Sequence, residues 1–386
     1  MKRLKIGLLA KILIAIGLGI GAGLIVPESA ARIFVTINAI FSQFLGFVIP
    51  LIILALVTKA IADIGNRAGK MLIVTVAIAY GSTIFAGIVS YLTGAALFPS
   101  MISGSPASEV QEAAALVPFF EVNIPPLMSV MTALVLAFTL GLGLASTQNE
   151  TLMKATHGFE EIMVKTIKAA IIPVLPLYIF GIFLDMAYVG KVFSVLSVFI
   201  KIIGIIFVIH ICILLLQFAI AGSFTKKNPF RLLWNMLPAY FTALGTQSSA
   251  ATIPITLEQT RKNGVSEDIA GFTVPLCATI HMAGSTLKIV ACALAIMIMN
   301  GLAYDFSLFI GFICMLGITM VAAPGVPGGA IMASLGLLGS MLGFTPEAQA
   351  LMIALYIAMD SFGTACNVTG DGAIALVVDK IFSKKR

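Results

Sequence analysis

The chain has 386 residues, of which 60% are apolar and 10% charged, with a mean hydropathy of +1.09. Soluble proteins run near ~25% charged residues, so a soluble multidomain reading is excluded and a polytopic, all-α membrane protein is expected. The net charge of +6 would suit a nucleic-acid partner, but the basic residues alternate by loop instead of forming one patch. Lys2, Arg3 and Lys5 precede the first apolar run; Lys59, Arg67 and Lys70 follow the second; Lys154, Lys165 and Lys168 the fourth; Lys226, Lys227 and Arg231 the sixth. Arg261 and Lys262 come next, and Lys380, Lys384, Lys385 and Arg386 lie at the end, while the opposite loops hold only Arg32 and Lys191. That bias places both termini in the cytoplasm, in a multi-pass cell (inner) membrane protein with lipid around it and no nucleic-acid partner.

The apolar runs predict spans over 6–26, 33–58, 71–98, 118–145, 166–189 and 193–222. The first has a basic start, as a signal peptide would, but its apolar stretch is long and Lys11 interrupts it, so a retained helix is expected. Loop 99–117, with Glu109 and Glu112 and no basic residue, is expected outside. The five cysteines lie in apolar segments without paired spacing, which gives neither a disulfide framework nor a zinc site.

After Arg231 the pattern changes. A short arm from Leu232 to Leu244 meets the polar break GTQSSAATIP, and a second short arm ends near Lys262. A thirteen-residue helical arm rises about 20 Å, short of a ~30 Å hydrocarbon core, so this segment is expected to enter the membrane and turn back. A span over 266–300 follows, then a second such segment from Phe306 to about Leu342 around the break VAAPGVPGGA, then a last span over 347–378. Paired interrupted segments point to a transporter binding site, against the plainer alternative of two kinked spans. The expected fold is eight transmembrane helices with two re-entrant hairpins.

Candidate residues follow from these breaks. Ser248 and Ser249, with Gln247 before and Thr252 after, cap a half-helix whose N-terminal N–H groups suit an anion such as a carboxylate. Gly325, Val326, Pro327, Gly328 and Gly329 form either a movable lid or a plain tight turn. Asp360, Thr364, Asn367 and Asp371, spaced four, three and four apart, share one helix face, and two carboxylates in an apolar span are costly without a function. One fits a hard cation and the other an amino group, unless Lys288 forms a structural ion pair with one of them. In CATIHMAGSTLK, Gly284 permits unwinding, and His281 is either a proton-coupling group or a packed, hydrogen-bonded histidine. Lys288 either snorkels, pairs with a carboxylate or stands in for a cation. No Gly-x-Ser-x-Gly, His-Glu-x-x-His or phosphate loop is present, so no enzyme and no organic cofactor is expected.

These residues resemble the dicarboxylate/amino acid:cation symporter family, over essentially the whole chain and most specifically from Thr242 to Asp371. The resemblance implies scaffold helices one and two over 1–70, a transport-domain helix three over 71–98, and scaffold helices four and five with transport-domain helix six over 99–222. It implies a transport core over 223–386, assembly as a homotrimer, and movement of the core across the membrane like an elevator. Ser249 and the neighbouring backbone, with Gln247 and Ser248, would meet a substrate carboxylate, and Gly325 to Ala330 would form the extracellular gate, with Val326 and Gly328 at the substrate. Asp360 would hold the substrate amine, with Ser285, Gly363, Thr364 and Asn367 nearby. Asp371, Asn367 and carbonyls near Cys277 and His281 would form one sodium site, with Thr279 and Met282 in a second.

The departures bear on substrate and ion. The family's Asn-Met-Asp-Gly-Thr reads here His281, Met282, Ala283, Gly284, Ser285. Gly363 stands where acidic-substrate members have an arginine, Tyr356 where they have a further aspartate, and the gate is one residue shorter. A buried second carboxylate would have no evident partner, so a small neutral amino acid such as serine, threonine or alanine, carried with sodium, is expected. The motifs look similar to the sodium/serine-threonine branch. Alternatives are a proton-coupled symporter of an acidic amino acid or dicarboxylate, working through His281 or Lys288, and a channel or anion-conducting protein.

Overall fold

The structure, a computed structural model, describes residues 7–66, 69–102, 116–190, 192–323 and 328–382. Arg67, Lys191, Glu109, Glu112, the terminal lysines and arginines named above other than Lys380, and Gly325, Val326 and Pro327 of the second break lie outside them. The described residues form α1 (Leu8–Gly23), α2 (Glu28–Asn66), α3 (Lys70–Ile102), α4 (Val130–Thr147) and α5 (Glu150–Thr166). A π turn (Ile167–Ile171) leads into α6 (Ile172–Tyr188), followed by α7 (Val192–Thr225), α8 (Pro229–Thr246), α9 (Ser249–Lys262) and α10 (Glu267–Ile280). The chain continues through α11 (Ala283–Met299), α12 (Phe306–Val321), α13 (Gly329–Leu342), α14 (Pro346–Ala358) and α15 (Asp360–Phe382). Among the described residues six helical stretches are long and apolar enough to cross a membrane, and α14 with α15, bent by 61° at their junction, would make a seventh if the pair is one span.

Two boundaries differ from the sequence reading. The fourth span was expected from residue 118, but helix begins only at Val130. Pro118, Pro125 and Pro126 remove backbone donors across that stretch, and Ser129 starts the helix by accepting the Thr132 N–H at 3.1 Å. The fifth was expected from 166, but the helical path begins at Glu150, capped by Asn149. This first part is amphipathic, with Glu150–Lys154 and Glu161–Lys165 pairs along its polar side, so a hydropathy reading passes over it. Pro173 lacks an N–H and would crowd the carbonyl of Ala169; the wider π turn just before it relieves that conflict.

Helix α1 lies on α6, and α2 lies on α4, α5 and α6; α3 packs on α11 and α12, while α15 is surrounded by α7, α8, α9, α10 and α11. Helices α8 and α9 pack on each other, as do α12 and α13. Within Glu267–Met299, 89% of an apolar 18-residue segment is buried, against 56% or less of the matching segments of the other five long spans, and α11 is buried from Ala283 to Met297 and runs through the protein interior. That burial explains why polar side chains survive there: they face protein and not lipid.

Glycine sets the approach of α1 to α6. A Cβ at Gly19 would lie 2.5 Å from the Phe180 carbonyl oxygen, and one at Gly23 would overlap the Leu184 carbonyl oxygen. Gly19 and Gly23 are four apart and share one face, as small residues do where membrane helices meet closely. Gly23→Val is expected to lower stability by about 1–3 kcal/mol through overpacking. Gly21→Ala, where a Cβ meets nothing within 4 Å, should leave the thermal midpoint unchanged. Equal midpoints for the two variants would contradict this packing.

Candidate functional site

Three backbone interruptions converge on one cleft. At the first, Gln247 takes φ +53° to end α8, and Ser248 turns extended and caps α9 by accepting the Ala251 N–H at 3.3 Å. The free N–H groups of the first turn of α9 thus point outward as a partial positive charge. At the second, His281 and Met282 leave helical geometry between α10 and α11. At the third, Met359 breaks α14 from α15, so Asp360 stands in the first turn of α15, where a carboxylate is favoured by the helix dipole.

The cleft is lined by Gln247, Ser248, Ser249, Met282, Ser285, Ala330, Tyr356, Asp360, Thr364 and Asn367. Seven of the ten expected substrate residues therefore meet here. Gly328 joins them through its N–H, which donates to Asp360 Oδ2 at 2.9 Å. Gly363 does not line the cleft; a Cβ there would overlap the end of the Lys288 side chain. Val326 lies outside the described residues. Ala330, at the end of the expected gate, also lines the cleft, and Tyr356 figured only as a departure, although it precedes Asp360 by four residues.

Hydrogen bonds hold these side chains in place. Asn367 accepts the Gly284 N–H at 2.8 Å and donates to Ser285 Oγ at 3.2 Å and Met282 Sδ at 3.4 Å. Tyr356 donates to Ser285 Oγ at 3.0 Å, and Thr364 donates to the Asp360 carbonyl at 3.0 Å. Gly284 does not unwind the helix, as its sequence setting suggested; it lies within α11 and lets α15 come close, since a Cβ there would sit 2.6 Å from the Gly363 carbonyl oxygen.

Asp371 lies deeper, 0% exposed. Its Oδ1 accepts from His281 Nδ1 at 2.9 Å, and His281 Nδ1 also lies 3.3 Å from the Asn367 carbonyl. On the other side, Gln217 donates to Ser82 Oγ at 2.9 Å, and Ser82 Oγ lies 3.1 Å from His281 Nε2. Ser82 Oγ thus links Gln217 to His281 Nε2, while His281 Nδ1 faces the Asp371 carboxylate. His281 is fully buried and hydrogen-bonded on both ring nitrogens, and Ser82 and Gln217 are partners that only their polarity within apolar helices could have signalled. The other oxygen, Asp371 Oδ2, is buried with no hydrogen-bond partner among the described residues.

Of the other expected cation ligands, the Cys277 carbonyl accepts the His281 N–H at 2.8 Å. Thr279, expected in the second site, is exposed, with its hydroxyl donating back to the Leu276 carbonyl at 2.7 Å. Removing His281 takes a hydrogen-bond donor from the buried Asp371, so His281→Ala is expected to cost about 2–3 kcal/mol of stability. A loss below ~1 kcal/mol in denaturant unfolding would show that Asp371 does not depend on His281.

Residues 8–381 match the model of the sodium:dicarboxylate symporter family. The serine/threonine transporter SstT of Acinetobacter baumannii (strain AYE) is 26% identical over 400 residues, covering 97% of both chains. The neutral amino acid transporter B(0) of Rattus norvegicus is 34% identical over 149 residues, which is 38% of this chain and 27% of that protein. The Mus musculus protein of the same name is also 34% identical over 149 residues, and the match spans about a quarter of the length of both mammalian relatives, 27% in each. With a family match over nearly its whole length, this chain belongs to the sodium:dicarboxylate symporter family.

Proposed function

We propose that the chain is a secondary active transporter that carries a small neutral amino acid, such as serine, threonine or alanine, together with sodium. The observation that carries this reading is the pairing of opposite charges across one small cleft: the N-terminal turn of α9 at Ser248 and Ser249 faces Asp360. A zwitterion fits both ends, its carboxylate on the N–H groups and its ammonium on Asp360. The cleft lining contains no Lys or Arg that would take a second carboxylate. The names of the serine/threonine and neutral amino acid relatives favour the same substrate class.

Sodium enters this reading as a co-transported ion. Hard cations take oxygen ligands, and the partnerless Asp371 Oδ2, with the Asn367 carbonyl beside His281 and the Cys277 carbonyl that accepts the His281 N–H, would supply them. In the same reading the membrane is crossed eight times, by α1, α2, α3, α4, α5 with α6, α7, α10 with α11, and α14 with α15. The pairs α8/α9 and α12/α13 are re-entrant hairpins, and both termini are cytoplasmic. Helices α1, α2, α4, α5 and α6 form a trimerising scaffold, and α3 with α7 to α15 form the body that moves across the membrane as an elevator.

Asp360→Asn removes the negative charge that holds the amine. The purified wild-type protein should gain thermal stability from alanine, serine or threonine in sodium chloride, by mass action on the native state. The variant should fold and show no such gain. Equal stabilisation of wild type and variant would sink the assignment of Asp360.

A further inference from the structure

Lys288 reaches the site from α11 and is only 2% exposed. Its ammonium donates to the Met359 carbonyl at 3.1 Å, lies 3.5 Å from Asp360 Oδ1, and sits 3.8 Å over the Tyr356 ring centroid. Lys288 does not line the cleft, while Tyr356 and Asp360 do. The ammonium therefore backs the carboxylate at Oδ1 from outside the cleft lining, while Oδ2 accepts the Gly328 N–H. The space for it comes from Gly363, whose missing side chain would overlap Lys288 Cε and Nζ.

A charge count gives this arrangement a consequence. A zwitterionic amino acid adds no net charge, and Asp360 adds one negative charge in a nearly water-free site. Without Lys288 the loaded cleft would hold an unbalanced buried charge and would need a mobile cation beside Asp360. With Lys288 the sum is zero. We propose that the Lys288 ammonium is a tethered counter-cation that does at Asp360 what one mobile coupling cation would otherwise do. This rests on the reading of Asp360 as the partner of the substrate amine. Amino-acid binding at this carboxylate then draws in no sodium of its own, and the sodium requirement arises at Asp371.

The test uses the full chain in detergent, with alanine or serine titrated at several sodium chloride concentrations and choline chloride holding the ionic strength. Lys288→Met keeps the length of the side chain and removes its charge. Its amino-acid affinity should fall by about tenfold or more at low sodium and recover as sodium rises, with the apparent order in sodium increased by about one. The same affinity and sodium order as wild type would overturn the proposal. A relocated charge gives a second arm: Lys288→Ala combined with Gly363→Lys moves the ammonium from α11 to the same space on α15. That pair should return the sodium order to the wild-type value; a steep sodium order or absent binding in it would overturn the proposal. Asp360→Asn separates the two layers. Loss of binding there with unchanged Lys288→Met overturns the tethered-cation role alone, whereas unchanged binding in Asp360→Asn removes the amine reading and the proposal with it.

Discussion

Asp360 and Asp371 stand on one apolar helix, 4% and 0% exposed, and an ion taken out of water without a partner costs several kcal/mol. Each therefore needs a matching group brought to it, and both come from the segment that forms α10, the break at His281 and Met282, and α11. His281 serves Asp371, and Lys288, nearly two turns further on, serves Asp360. Close contact between α11 and α15 is the condition for both pairs, and glycines on both helices provide it. Gly284 admits the α15 backbone, Gly363 admits the Lys288 side chain, and Gly370 admits His281, whose Cε1 would lie 2.6 Å from a Cβ there.

The same constraint accounts for the irregular backbone. Unwinding at His281 and Met282 costs regular hydrogen bonds, which is tolerable only where protein surrounds the break. The interior course of α11 supplies those surroundings. The break between α14 and α15 puts Asp360 on a helix N-terminus, and the capped start of α9 sets a second N-terminus across the cleft. Gly328, at φ +76° before α13, closes the set by donating to Asp360, so the second interrupted pair is tied to the same carboxylate as Lys288.

Much of this was legible in the sequence, for physical reasons that differ by feature. Hydropathy reports burial in lipid or protein, so the long apolar spans and the short-armed segments around GTQSSAATIP and VAAPGVPGGA stood out. The polar face of Asp360, Thr364, Asn367 and Asp371 followed from helical periodicity alone. Hydropathy also misled where it measured composition and not conformation: residues 118–129 are apolar but proline-broken, and 150–166 are polar but helical. Pairings were beyond reach. Asp371 meets His281 across 90 residues, and the Lys288 ammonium reaches the Met359 carbonyl, next to Asp360, across 71; nothing in local spacing selects those partners from the alternatives. Gly284 was read as a flexible point because a glycine's two uses, freedom and close approach, look the same without its neighbours.

The central claim is that a sodium gradient drives a small neutral amino acid through this cleft. Purified protein reconstituted in sealed vesicles, given an inward gradient of sodium or of choline, tests it with labelled serine, threonine, alanine, aspartate and succinate. The account predicts accumulation of at least one of the three neutral amino acids above its external concentration, with sodium only. Uptake that stops at equal concentrations on both sides, or accumulation of aspartate or succinate alone, would contradict it.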